Sequence, residues 1–360
     1  MTPTRVGALV LFLAGASCIT RDTVATFVEG GQAASAVFEH GLCGCGTLDF
    51  SPNLFIDGFD SRVAPWAADA GMGDFAGNSN LIFPGLLTVT GDVTVAGSVA
   101  VGTGLGTGLV VGRDLFIQGT LGRGSSEVRV GASASIGDDV FVSRLDVGGV
   151  LTMPATASAG GVITAASRRT SEVSVPLPCR CDADAGVDVA ALVEMHRLSN
   201  DNAAIGLDPT AFTNLGADTP LKLPCGVFFI DGVTGQGPLT LHATGRAAAF
   251  VKGSDTPLAV LLDPGAELDL FVDGRLSLAP GAFGDPARPR ALRVYSTAGT
   301  IDLSHVAFSA LLYAPSANLT SSTASEVFGA LAVGTITGGW GGRLAVHYDR
   351  AATSPKEACQ

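Results

Sequence analysis

Three adjacent side chains near the C-terminus, His347, Tyr348 and Asp349, have the types needed to move a proton. Imidazole titrates near neutral pH and a neighbouring carboxylate can orient it, so the triplet could serve general acid or base chemistry. It also falls in the final strand pattern of the chain. A terminal layer there needs polar and aromatic groups to close it off, and capping is the expected role. A second set is acidic. Asp92, Asp114 and Asp139 each stand before a short apolar stretch, and in register they would form a ladder able to hold Ca²⁺. An Asp at a corner more commonly satisfies the turn with its own carboxylate, and that is the role expected of all three.

The cysteines offer another chemistry. Cys43 and Cys45 form one C-x-C pair and Cys179 and Cys181 another, but structural zinc sites use wider spacings, so no metal site is assigned. In an exported chain these four, with Cys225 and Cys359, are candidates for disulfides whose connectivity the sequence leaves open. Trp340, in Gly338-Gly339-Trp340-Gly341-Gly342, could stack on a sugar ring. Trp66, Tyr295 and Tyr313 are other scarce aromatics that could mark a binding face. There is no Gly-x-Ser-x-Gly elbow, His-Glu-x-x-His pair, phosphate loop or dinucleotide fingerprint. The run Gly104 to Gly108 lacks the Lys and the helix of a phosphate cradle and reads as a corner. No catalytic residue and no cofactor is assigned.

Around these residues the composition is that of a strand-and-corner protein. Of 360 residues, 48 are Gly, and charged residues make up 15%, well under the usual share of about a quarter. The net charge of −12, with 21 Lys and Arg, excludes a phosphate-binding surface and hence a nucleic-acid partner. Residues 1–17 read as a signal peptide: Arg5 precedes the apolar run Val6 to Ala14, which is too short to span a bilayer. Ala14-Gly15-Ala16 suits ordinary signal peptidase, whereas Gly15-Ala16-Ser17-Cys18 suits a lipobox in which Gly15 replaces the usual Leu. Removing Cys18 leaves an even number of cysteines for pairing, which favours lipid attachment at Cys18. Any membrane contact is then expected through that anchor.

From Leu81 to Met153 brief alternating apolar stretches are separated by Gly, Asp and Ser. Asp92-Val93-Thr94-Val95, Asp114-Leu115-Phe116-Ile117 and Asp139-Val140-Phe141-Val142 echo one another at steps of 22 and 25 residues. A period of this size is that of one coil of a β-solenoid, in which each layer buries its inward side chains only against its neighbours. The alternative with similar turn spacing is an antiparallel sandwich. Val189, Leu192, Val193 and His196 share one face of a helix, with Asp184 or Asp188 as its cap. The strand pattern resumes at Cys225 and runs to Val346.

The second half resembles a domain family of unknown function found in exported bacterial proteins, some of them pilus-assembly proteins. The residues that carry the resemblance are Leu223 to Phe229, Leu268 to Gly274, Tyr313-Ala314-Pro315-Ser316-Ala317, Val327-Phe328-Gly329-Ala330 and His347-Tyr348-Asp349, with Asn200-Asp201-Asn202 before them. It spans roughly residues 50–350, is strongest after residue 220, and implies a β-solenoid. Gly91 to Val95 is similar to the polymer-forming bactofilins, and the overall ordering to surface adhesins of Gram-positive bacteria. These resemblances imply a structural or adhesive module and carry over no catalytic residue.

The expected architecture is an all-β, right-handed β-solenoid with a short helical insertion. Its parts are a signal peptide (1–17), an anchor and lead-in segment (18–53), N-terminal coils (54–181), the helical insertion (182–222), C-terminal coils (223–350) and a tail (351–360). The expected function is a non-catalytic structural or adhesive lipoprotein of the outer membrane or cell surface, with envelope polysaccharide or other surface or pilus proteins as partners. Self-association through an unpaired end coil is a further expectation. The alternative is a polysaccharide lyase or hydrolase, which would need acids converging in one groove.

Overall fold

The structure, a computed structural model, describes residues 34–49, 53–68, 71–102, 106–182 and 186–353. The signal peptide, Cys18 and Cys359 lie outside the described residues. Short strands such as Val93–Val95, Leu115–Ile117 and Ala134–Ile136 turn their first and last side chains inward and the middle one outward, as the period of two requires. Each pairs in parallel with the equivalent strand of the next layer. The outcome is a β-solenoid of about 14 turns. Val93, Leu115 and Val140 are fully buried along its axis. Where the chain turns between faces, layers approach backbone to backbone. A Cβ on Gly131 would lie 2.2 Å from the Gly112 carbonyl oxygen, and one on Gly148 2.2 Å from that of Gly131, so this corner has no room for a side chain.

The repeat differs in detail from the sequence expectation. Along one face Phe75, Val93, Leu115, Ala134 and Leu151 follow one another in register, at steps of 18, 22, 19 and 17 residues. Asp139 does not continue the Asp92–Asp114 column. Its carbonyl accepts from Leu121 N–H, which places it on the corner that follows Thr120. All faces carry the same apolar-x-apolar pattern, so local similarity aligned two different corners.

The layers do not follow chain order. The first coil, with strands Leu42–Gly44 and Asn53–Phe59, sits in the middle of the stack. From it the chain builds outward on one side to the strand Ala159–Thr170. It then returns along the flank, held by Gln118, whose amide oxygen accepts from Val175 N–H at 2.7 Å, and by Asn78, whose oxygen accepts from Cys179 N–H at 2.8 Å. The second half starts at the opposite tip with Thr219–Leu223 and Gly226–Ile230 and builds back toward the first coil. The halves meet where Leu42–Gly44 pairs with Ser325–Thr337 and Asn53–Phe59 pairs with Arg343–Asp349. One outward column crosses this seam unbroken: Phe229, Phe250, Phe271, Tyr295, Tyr313, Ala332, Cys43 and Ala76.

Near the second tip that column is buried on its outer side too. Strands such as Gly226–Ile230 and Leu292–Ser296 are buried at every position, and the run Val227 to Ile230 lacks alternation, as strands of sheets covered on both faces do. The cover over Gly226–Ile230 and the next two layers is a helix, Val189–His196, capped by Asp188, whose Oδ1 accepts from Ala191 N–H at 3.0 Å, and farther along Phe38 packs on Tyr295 at 6.1 Å between centroids. His196 stacks on Phe250 at 4.0 Å between centroids, Phe250 on Phe271 at 4.6 Å, and Phe271 on Tyr295 at 4.7 Å. Tyr295 and Tyr313 are therefore buried and do not form an exposed binding face. Among the described residues no helix is long and apolar enough to cross a membrane.

Candidate functional site

The densest polar cluster lies at the seam. His347, in the strand Arg343–Asp349, is the register partner of Asp57. The imidazole Nδ1 meets Asp57 Oδ1 at 2.6 Å, and the indole Nε1 of Trp66 donates to Asp57 Oδ2 at 3.1 Å. Both oxygens of this buried carboxylate are thus engaged. The Trp66 ring lies over the imidazole at 4.1 Å between centroids, and Phe328 packs on it at 4.8 Å. His347 is 1% exposed, and its Nε2 has no hydrogen-bond partner among the described residues.

The other two members of the triplet point elsewhere. Tyr348 donates its hydroxyl hydrogen to the Phe38 carbonyl at 2.8 Å, tying the segment before the first coil to the last strand. Asp349, fully buried, accepts from the Ser61 N–H at 3.1 Å and from its hydroxyl at 2.7 Å. Burial pushes the Tyr348 phenol well above its ordinary range, and nearby Asp74 and Asp349 push it the same way. The capping role expected of the triplet is therefore corrected. It is the last strand in the chain but an interior layer of the stack, and it joins the halves of the molecule.

A His–Asp pair of this geometry could orient an imidazole for base catalysis, with Nε2 left to act. The Ser61 hydroxyl is bound to Asp349 instead, and Trp66 and Phe328 pack on the imidazole ring. As arranged, the cluster holds strands together. The sequence singled out His347 but missed Asp57 and Trp66. A signal was present, since Asp57 is the one charged residue in the apolar run Leu54 to Phe59.

The acidic residues form corners. Asp74 Oδ1 accepts from Asp92 N–H at 2.7 Å, Asp92 Oδ1 from Asp114 N–H at 3.0 Å, and Asp114 Oδ1 from Ser133 N–H at 2.8 Å. On the neighbouring corner Asn80 Oδ1 accepts from Ser98 N–H at 2.8 Å, and Asp139 Oδ1 from Ser158 N–H at 2.6 Å. Each carboxylate satisfies the layer above it rather than its own turn. Among the described residues no three His, Cys, Asp or Glu converge as a metal site.

A second charged group is buried beside the aromatic column, on the same face of the sheet. Arg293 donates through Nε to Asp269, its register partner, with Glu267 3.8 Å from its NH2. Burial alone would lower the guanidinium pKa, but Asp269 outweighs it and holds the charge in place.

The C-x-C pairs join each other. Cys43 bonds Cys179 and Cys45 bonds Cys181, with Cα atoms 5.9 and 5.6 Å apart, so both staples fix the returning segment to the central coil. Cys225 is half-buried. Trp340 opens the turn Trp340–Gly342 just before the seam strand, and the side chain proposed to stack on sugar is not among those described.

Residues 183–354 match the model of a family described as a domain of unknown function, DUF7305. That span is the second half of the stack with its covering helix and its seam strand; it contains the stronger part of the resemblance drawn from sequence, and residues 50–182 of that resemblance fall outside it. Comparison with curated proteins and with solved structures gives no match.

Proposed function

We propose that the chain is a non-catalytic structural or adhesive module of a bacterial cell envelope, exported by residues 1–17 and anchored through a lipid on Cys18. The observation that carries this reading is the pair of disulfides, Cys43–Cys179 and Cys45–Cys181. Such bonds persist in oxidising compartments and are rare in the cytosol. The engagement of the corner carboxylates with backbone amides supports a structural use of the polar residues. A long stack of stapled layers presents a rigid, extended surface, suited to envelope polysaccharide or to other surface or pilus proteins.

The test is metabolic labelling with a palmitate analogue in a bacterium producing the full chain, followed by fractionation and thiol titration. The expected result is a labelled, oxidised protein in the envelope, with the label lost in Cys18→Ser. A reduced chain in the cytoplasm overturns the reading. An oxidised but unlabelled protein released from the cell overturns the anchor.

A further inference from the structure

The two ends of the stack are finished differently. At one tip the edge of Gly226–Ile230 is plugged by the residues ahead of it. Asp201 donates its N–H to the Val227 carbonyl at 2.7 Å and accepts from Val227 N–H through Oδ2 at 2.8 Å. The Asn202 amide donates to the Phe229 carbonyl at 2.7 Å and accepts from Phe229 N–H at 2.9 Å. On the adjoining face the edge strand Thr219–Leu223 contains Pro220 and Lys222, residue types that obstruct the addition of another strand.

Among the described residues the opposite tip carries a single such device: the Arg168 guanidinium donates to the Ile163 carbonyl at 2.9 Å, an exposed contact that has to swing aside before another strand can use that carbonyl. The strand Ala159–Thr170 is 12 residues long, and among the described residues it pairs only with Val140–Met153. From Ala159 to Ser167 it carries no charged residue and no proline. Its unused groups can be located. Val140 N–H donates to the Ser158 carbonyl at 2.9 Å, and Ser171 N–H donates to the Met153 carbonyl at 3.0 Å. The C=O and N–H of a trans peptide unit point opposite ways, so the Ala159 N–H and the Thr170 C=O face out of the stack.

We propose that this open tip is a self-association surface on which two copies meet end to end about a two-fold axis. An axis through Thr164 sets Val162 to Ala166 against its own copy in antiparallel fashion, so that residues facing the same way lie opposite one another. It also lays residues 167–169 of each copy over 159–161 of the other. Arg169 then comes over the corner that holds Asp139, a pairing of opposite charge rather than of like charge. The edge bends at two corners, where the register with Val140–Met153 shifts. A second copy has the same bends and can follow them, whereas a straight peptide strand covers one face only. Such an interface is isologous and closes at two, because the plugged tips cannot continue the series.

Sedimentation of the oxidised full chain over a range of concentrations tests this. The expected result is a dimer whose maximum dimension in solution scattering is nearly twice that of one stack. Ala159→Pro removes an outward amide and no bond to the layer beneath, so its expected mass is that of the monomer, with an unchanged melting profile. Arg169→Glu, which turns an attraction toward Asp139 into a repulsion, is expected to raise the dissociation constant by about tenfold or more, and it carries the test if the proline variant misfolds. A monomer at every concentration, an open-ended polymer, or a dimer that neither folded variant weakens overturns the proposal.

Discussion

His347 and Asp57 are 290 residues apart in the chain, yet Nδ1 and Oδ1 lie 2.6 Å apart on neighbouring strands of the seam. The contact joins the last coil built to the first. It is a buried polar pair in a low-dielectric setting, so its loss leaves one polar partner stranded rather than hydrated.

Asp57→Ala is therefore expected to destabilise the fold by about 3 kcal/mol in denaturant titration, and His347→Ala by a similar amount. Since each leaves the other group unpaired, the double variant should cost clearly less than the two single costs added together. Strict additivity would show that the pair does not act as a unit.

The staples make a different prediction. Both disulfides span 136 residues and close almost the same loop. Removing either by Cys→Ser leaves the loop closed by the other, so each single loss should cost under about 2 kcal/mol. Removing both opens the loop and should cost on the order of 4 kcal/mol, more than the two single losses combined. Equal and additive losses in chemical denaturation would contradict this account.

All three tyrosines, Tyr295, Tyr313 and Tyr348, are buried, and burial raises each phenol above its ordinary value. The folded-state pKa exceeds that of the unfolded chain, so the stability they contribute is whole below about pH 10 and is lost as pH rises beyond it. Tyrosinate absorbance should then appear only together with loss of the β-sheet circular dichroism signal. A smooth titration near pH 10 in a folded protein would refute the burial.

Asp92 accepts from Asp114 N–H and in turn donates its own N–H to Asp74. Asp92→Ala should cost about 1 kcal/mol, the net worth of one such bond, and millimolar Ca²⁺ should leave the melting temperature of the parent protein unchanged. A calcium-dependent rise that this substitution abolishes would restore the acidic ladder as a metal site.

Much of this was readable in the sequence, for physical reasons. Val93-Thr94-Val95 and its echoes announce stacked layers because each strand must alternate and each corner must be small or polar. The unbroken run Val227 to Ile230 announces a sheet covered on both sides. Asp139 was assigned to the wrong column because every face of the coil repeats the same local pattern, and nothing in a few residues says which face they occupy. The place of His347 was hidden for another reason. The chain begins in the middle of its own stack, and no local feature of Asn53 to Phe59 or of Arg343 to Asp349 reports that those two strands will be neighbours. Only the isolated Asp57 in an apolar run pointed to a buried partner.

The central claim is that both halves form one continuous stack with the first coil at its centre. The direct measurement is the distance between spin labels carried on non-natural residues at Ser167 and Lys222, the two tips, in labelled protein diluted with unlabelled protein. Layers about 4.8 Å apart, over the roughly 14 turns present, place the labels about 60 Å apart. A distance near half of that, as two half-stacks lying side by side would give, contradicts the account.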